Sequence, residues 1–235
     1  MATKEAQVAN WMPPPQEVIA GCPPGLEYLT QVDQLLVNQM IETFELITGW
    51  ETNNKYRVRN TLGQQVYFAA EDSGCCVRQW CGPARPFEMG IFDNNQKEVI
   101  HLVRPLRCND WCCFCCLQEM EVQSPPGTTV GWIKQEFSFI YPKFSIQNAN
   151  GDTILTIKGP CWTCKWCDVE FQVMSADGSQ EVGKISKQWS GLAKEFFSDA
   201  DNFGIQFPMD LDVKAKATMV GACFLIDFMF FEHSN

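Results

Sequence analysis

The chain reads as a mainly β protein, a closed antiparallel β-barrel of about twelve strands in two pseudo-repeats around a buried C-terminal helix. Three observations carry that reading. Short turns rich in Asn, Asp or Gly separate alternating apolar and polar runs; an ordered set of residue matches recurs half a chain apart; and the sequence ends on a short stretch that is apolar on every side.

From the N-terminus, Trp11–Pro15 and Cys22–Gly25 are proline-rich, so residues 1–25 are expected to form a short, extended and poorly ordered segment. It serves either as a linker or, through Trp11–Pro15, as a ligand for SH3 or WW modules. An apolar, amide-rich stretch from Tyr28 to Phe44 then leads into a single barrel domain spanning 26–235. Its hairpins are marked by turn chemistry at Asn60–Gly63, Asp93–Gln96, Asn148–Asp152 and Ala176–Ser179.

The duplication is visible when the chain is compared with itself. Tyr56, Val58, Asn60, Gly63 and Val66 recur 88 residues later as Phe144, Ile146, Asn148, Gly151 and Ile154. Phe87 and Met89 resemble Phe171 and Val173, while Glu119–Val122 parallels Asp210–Val213 at a spacing of 91 and Val130–Gly131 parallels Val220–Gly221. Two β meanders that each leave an edge unpaired lose both edges by closing on one another. With six strands per half, equivalent connections emerge at one rim, so residues 108–119 and 199–210 are expected on the same end of the barrel.

Met219–Phe231 is expected to be the buried helix. A helix of that length reaches only about 20 Å, short of the ~30 Å hydrocarbon core of a bilayer. Asp227 at its centre adds a penalty of about 3 kcal/mol for insertion, and inside a barrel it must find hydrogen-bond partners. Gly221, Ala222 and Cys223 are small enough to let the helix approach the strands.

Composition narrows the function classes. The net charge of −10 opposes unaided binding to DNA or to anionic lipid. Thirteen cysteines with no export signal in Met1–Asn10 point to a reducing compartment and to free thiols. Cys108, Cys112, Cys113, Cys115 and Cys116 crowd around Trp111 and Phe114, a spacing unsuited to mutual disulfides or to a four-ligand metal cage. Thiols beside aromatic anchors suit reversible S-palmitoylation, and two or more acyl chains hold a protein at a membrane where one does so only marginally. Cys161, Cys164 and Cys167 form a knuckle whose zinc reading lacks a convincing fourth ligand, because His101 and His233 are the chain's only histidines. No nucleophile elbow, phosphate loop or His–Glu metal motif points to an enzyme.

Asp199 to Asp210 has the length of a calcium loop, with acids at its positions 1, 3 and 12 and Gly204 at 6. Asp199, Asp201, Asn202 and Asp210 are its candidate ligands. Phe203 and Phe207 stand where oxygen ligands belong, so the affinity expected is weak, on the order of 10⁻⁴ to 10⁻³ M.

The chain resembles the phospholipid scramblase family across residues 11–233. The resemblance rests on Cys22-Pro-Pro-Gly-Leu-Glu-Tyr-Leu29, Phe68-Ala-Ala-Glu-Asp72, Arg104-Pro-Leu-Arg-Cys108 with the cysteine run, Gly159-Pro-Cys161, Gly183-Lys-Ile-Ser-Lys187, the acidic segment, and Gly221–Phe231. It implies a tubby-like fold, palmitoylation at Cys112, Cys113, Cys115 and Cys116, and Ca²⁺ bound by the acidic segment. The implied activity is calcium-activated, ATP-independent, bidirectional movement of phospholipids between leaflets by a protein held on the cytoplasmic face of the plasma membrane or another intracellular membrane. In that picture Phe203 and Phe207 contact lipid, and calcium drives homo-oligomerisation. Gly183, Lys184, Lys187 and Trp189 match an unconventional nuclear import segment of some relatives, with Gln188 in place of histidine, which implies a nuclear pool of unacylated protein. The competing reading is a membrane-tethered calcium- and lipid-binding adaptor without scrambling activity.

Overall fold

The computed structural model describes residues 10–15, 21–40, 53–73, 85–107, 117–161, 169–188 and 202–231. After a 3-10 helix at Glu27–Gln31, twelve strands follow among the described residues: β1 (Gln34–Met40), β2 (Lys55–Arg59), β3 (Gln65–Asp72), β4 (Phe87–Phe92), β5 (Glu98–Arg104), β6 (Glu119–Gln123), β7 (Thr129–Glu136), β8 (Lys143–Asn148), β9 (Thr153–Lys158), β10 (Val169–Ser175), β11 (Glu181–Gln188) and β12 (Asn202–Gln206). Each pairs antiparallel with its sequence neighbour, and β1 closes the barrel on β12 with Val37 opposite Phe203. The expected closed, mainly β architecture is the one observed, with one helix, α1 (Val213–Phe230), along its interior.

The alternation of the strands explains the closure. Tyr56 and Val58 on β2, Met89 and Ile91 on β4, and Phe171 and Val173 on β10 point inward and are buried, with half-exposed or exposed residues between them. The hairpin turns reuse one device. The side-chain carbonyl of Asn60 accepts from the backbone N–H groups of Leu62 and Gln64, Asp93 does the same for Asn95 and Lys97, and Asn148 for Asn150 and Asp152. In the fourth turn, hydroxyl hydrogen bonds from Ser175 and Ser179 and the Ser179 N–H hold the Asp177 carboxyl at a pKa of about 2.

The pseudo-repeat relates β2 to β8 and β4 to β10, six strands apart, and Asn60 and Asn148 occupy equivalent turns. Two of the sequence parallels do not survive. Glu119–Val122 lies on β6 and Val130–Gly131 on β7, but their counterparts Asp210–Val213 and Val220–Gly221 belong to the approach to α1 and to α1 itself. Those matches reflect similar burial patterns in different secondary structures.

α1 begins six residues before the expected Met219. The Asp212 carboxylate caps it by accepting from the N–H groups of Lys214 and Ala215. The helix runs close to β7 and β6: a Cβ on Gly131 of β7 would lie 2.4 Å from Thr218 Oγ1, and one on Gly221 would lie 3.0 Å from Val122 of β6. Asp227 is buried and accepts a 2.9 Å hydrogen bond from the Tyr56 hydroxyl, as the sequence requires of a carboxylate at that depth. Burial, and secondarily the Asp227 carboxylate, push the Cys223 thiol well above its ordinary pKa, so it is an inert core residue.

The two ends of α1 solve opposite electrostatic problems. At the C-terminal end the helix dipole is negative, and Arg85 lies over the Phe228 ring at 4.7 Å while Lys187 lies 4.3 Å from the Phe231 ring. Arg85 makes a buried bidentate pair with Glu71, at 2.7 and 2.9 Å. Lys216, in contrast, sits in the first turns, the unfavourable end for a cation. Its buried ammonium donates to three backbone carbonyls, those of Leu29, Val32 and Met209, at 2.8 to 2.9 Å. Burial lowers its pKa, and Asp33 and Asp210 push it back up.

Those bonds clamp α1 to the segment before β1, and the described parts of the N-terminal region are docked and not loose as expected. Met12 is buried and its N–H donates to Gln65 O at 2.8 Å, while Trp11 bridges to Gln65. Gly25, at φ +94°, carries its carbonyl to the Tyr67 hydroxyl, and any Cβ there would strike Val99 at 2.1 Å. A WW or SH3 module reading Trp11–Pro15 would have to lift Met12 off β3.

Replacing Lys216 with Met keeps the length of the side chain and removes three charged donations. It is expected to cost about 3 kcal/mol, read as a lower urea midpoint at an unchanged slope.

Candidate functional site

Because the barrel alternates strictly, its connections fall into two sets. The rim at the N-terminal end of α1 carries the short turns 60–64, 93–97, 124–128, 149–152 and 176–180, together with the segment before β1 and the linker 207–212. The other rim, at the C-terminal end of α1, joins strands through 41–54, 73–86, 105–118, 137–142, 159–168 and 189–201. Eleven of the thirteen cysteines and six of the eight tryptophans fall in this second set. This segregation is the most function-laden feature of the molecule.

Cys112, Cys113, Cys115 and Cys116 lie outside the described residues, as do Cys164 and Cys167 of the knuckle. The roots of the cysteine run are well defined: Arg107 donates to Leu117 O at 3.2 Å and pairs with Glu119, and Gln118 and Gln135 exchange hydrogen bonds that tie this connection to β7. Cys161 is an exposed free thiol. Among the described residues no cluster of His, Cys, Asp or Glu is grouped to hold a metal, and His101 is engaged at 2.6 Å by Glu98.

The middle of the acidic segment is a strand. Asn202–Gln206 forms β12, paired on both sides, with Asn202 opposite Asn38 and Gln188 and Gln206 opposite Gln34 and Lys184. The strand separates its ends by about 13 Å, so Asn202 and Asp210 belong to opposite rims and do not share an ion while β12 is paired. Asp199 and Asp201 lie outside the described residues; the connection that contains them joins the cysteine-bearing rim, whereas Asp210 lies at the other, so only the start of 199–210 shares an end with 108–119 and the expected equivalence of the two segments holds only in part.

Phe203 and Phe207 are likewise not presented to lipid. They are 2% and 4% exposed, since alternation along β12 turns Phe203, Ile205 and Phe207 inward, where Phe203 packs against Phe231 and Phe207 lies under the Lys216 ammonium. Spacing alone made these aromatics look like ligand positions filled by membrane anchors; strand period 2 accounts for both.

The import segment is also inside the sheet. Gly183, Lys184 and Lys187 lie on β11, between β10 and β12. Lys187 is buried against Phe203 and Phe231, Lys184 pairs with Glu170 at 3.0 Å, and a Cβ on Gly183 would lie 2.2 Å from Gln206 O. A receptor reading this stretch as an extended peptide would have to extract a central strand. Trp189 lies outside the described residues.

Among the described residues Phe224, Phe228, Met219 and Leu225 of α1 fill the interior, and a surface cleft of about 290 Å³ lined by Met12, Gln34, Asn60 and Leu62 is at the small end of ligand pockets. No helix among the described residues is long and apolar enough to cross a membrane. What the sequence reading missed is an exposed apolar tip in the β7–β8 connection, where Phe139 is 81% and Ile140 67% exposed. Two consecutive bulky apolar residues inside a turn, just before Pro142, were the available signal.

The chain is 59% identical over 226 residues to phospholipid scramblase 1 of Homo sapiens, covering 96% of this chain and 71% of that protein. It is 60% identical over 223 residues to phospholipid scramblase 2 of Bos taurus, covering 94% and 76%, and 53% identical over 213 residues to human phospholipid scramblase family member 5, covering 90% and 79%. No solved structure matches. The sequence model of the scramblase family matches residues 12–233, nearly the whole described barrel, and the chain belongs to that family.

Proposed function

We propose that this protein moves phospholipids between the leaflets of a membrane, without ATP, in both directions and on a calcium signal, while palmitoyl groups hold it at the inner leaflet. Family membership over the whole barrel supports lipid translocation, as opposed to covalent catalysis, and the relatives' names carry the same activity. The observation that carries the membrane part is the gathering of cysteines and tryptophans on one rim.

The filled interior constrains the mechanism. A headgroup crossing hydrocarbon needs a polar path or a perturbed bilayer, and a barrel plugged by α1 offers no conduit. Lipid therefore moves along the outside of the protein, where the anchored rim disturbs headgroup packing and calcium-driven association of several copies enlarges the disturbed area. The calcium ligands in this reading come from one rim, Asp199 and Asp201 with the adjoining Asn202, completed by lipid phosphate oxygens, and Asp210 takes no part. The adaptor reading is favoured by the same filled interior, and one experiment separates the two.

Purified, acylated protein in liposomes with a leaflet-specific lipid reporter is expected to exchange lipid when calcium is added without ATP. Calcium-dependent binding without exchange would establish the adaptor instead. In that assay Asp199→Asn/Asp201→Asn is expected to raise the calcium requirement about tenfold or more, and Asp210→Asn to leave it unchanged; the reverse order would restore the twelve-residue loop.

Acylation has a separate test. Replacing Cys112, Cys113, Cys115 and Cys116 together by Ala is expected to move most of the protein from the membrane to the soluble fraction of cells, because several acyl chains hold a protein far more firmly than the reversible surface contacts open to one at net −10. A membrane-bound fraction equal to the parent's would contradict acyl anchoring.

A further inference from the structure

The β7–β8 connection differs from most of the described turns on the opposite rim. It carries no Asx device, and its tip offers two bulky apolar side chains to solvent, Phe139 and Ile140. Such exposure on a loose loop would mean little, but this connection is braced. Phe137 packs edge-on to Phe139 with ring centroids 4.6 Å apart, and the Pro142 carbonyl accepts from Gly159 N–H at 2.8 Å, which ties it to the next connection of the same rim. On the other side, Gln118 and Gln135 join its base to the connection that carries Leu106, itself 65% exposed.

Around the tip stand cations backed by aromatic rings. Lys158 lies over Tyr141 at 4.6 Å, Lys134 over Trp132 at 5.7 Å, and Lys143 pairs with Glu136 at 2.6 Å. Lys143 and Lys158 face each other across β8 and β9. The turns and linker of the far rim carry Asp93, Asp152, Asp177, Asp210 and Asp212. The connections of the cysteine-bearing rim hold carboxylates too, Glu42, Glu45, Asp110 and Asp168 among them, so the lysines beside the apolar tip form a local basic patch in a protein that is acidic overall.

An apolar tip with Tyr141 beside it and lysines on the adjoining strands matches the chemistry of a bilayer interface, in which apolar side chains enter the acyl boundary, aromatic rings sit at headgroup level and ammonium groups meet phosphate. We propose that Phe139 and Ile140 form a membrane-inserting finger that docks this rim on an anionic phospholipid surface, with Lys134, Lys143 and Lys158 at the phosphates. The finger deepens the membrane reading given above and rests on it. It gives the barrel a fixed orientation, with the β7–β8 tip toward the bilayer, that flexible acyl chains do not supply. Bracing by Phe137 and Pro142 means that little conformational freedom is lost on insertion.

The test uses the full chain without acylation and vesicles of phosphatidylcholine with about 30% phosphatidylserine, a fraction at which each lysine gains appreciably from the surface potential. Phe139→Ser/Ile140→Ser is expected to lower vesicle binding at least about tenfold, the effect of withdrawing two such side chains from an apolar phase. Leu62→Ser, which removes an equally exposed side chain (80%) from the opposite rim, is expected to bind like the parent. Raising the salt or omitting phosphatidylserine should weaken the parent as well. The single variants Phe139→Ser and Ile140→Ser, each expected to lose part of the binding at an unchanged thermal midpoint, guard against misfolding. Parent-like binding by the double variant, equal loss in Leu62→Ser, or no vesicle binding by the parent would each overturn the finger. Lipid exchange, measured separately on the same vesicles, tests the activity: a parent that binds without moving lipid defeats scrambling and leaves the finger standing.

Discussion

A closed sheet of twelve strands encloses more space than the side chains of its own walls can fill, and the rest of the molecule follows from how that space is occupied. α1 occupies it, buried along nearly its whole length. A helix is about 10 to 12 Å across with its side chains, so the walls must yield where it comes closest, and Gly131 on β7 opposite Thr218 is where they do. A plug of this kind has to be secured at depth. Asp227 bonds to Tyr56 across the interior, and Lys216 draws three carbonyls from two chain segments onto the helix start. These polar contacts fix the register and height of the helix in a way that an all-apolar surface would not.

Filling the barrel pushes function outward. With no interior path for lipid, the chemistry belongs to the rims, and an even number of strands assigns every second connection to the same end. The two ends differ in what they carry. One rim is built from tight Asx turns and carboxylates and holds the capped start of α1; the other gathers the cysteine-rich connections, most tryptophans, the exposed Phe139–Ile140 tip and the buried cations Arg85 and Lys187 that face the helix C-terminus. In the function proposed above, attachment and orientation toward a membrane belong to that second end, and a phospholipid scramblase working from it acts on the bilayer through its surface.

Much of this was legible in the sequence, and each miss has a physical cause. The Asn and Asp turn signals located the hairpins because an Asx turn needs its side chain at one position. The apolar end of α1 was legible from its uniform composition, whereas its first turns were concealed by Lys214, Lys216 and Thr218; nothing local reveals that Lys216 finds three carbonyls far away in sequence. β12 was hidden inside a calcium-loop pattern because acids flank a five-residue strand, and the same few residues satisfy both templates until pairing partners are known. Lys187 looked like a surface charge because long-range packing on Phe203 and Phe231 decides its burial. The exposed tip at Phe139 and Ile140 passed as one more apolar pair, since exposure is a property of the closed barrel and not of the turn.

The central claim is that α1 stays inside the barrel while the rim works on the membrane. Amide hydrogen exchange of the protein on phosphatidylcholine–phosphatidylserine vesicles, with calcium present and lipid exchange under way, tests it most directly. The account predicts that Val213–Phe230 keeps the protection it has in solution, with changes confined to the connections of the cysteine-bearing rim. Loss of protection along α1 together with the strands that enclose it, in step with lipid movement, would show that the helix leaves the barrel and would contradict the account.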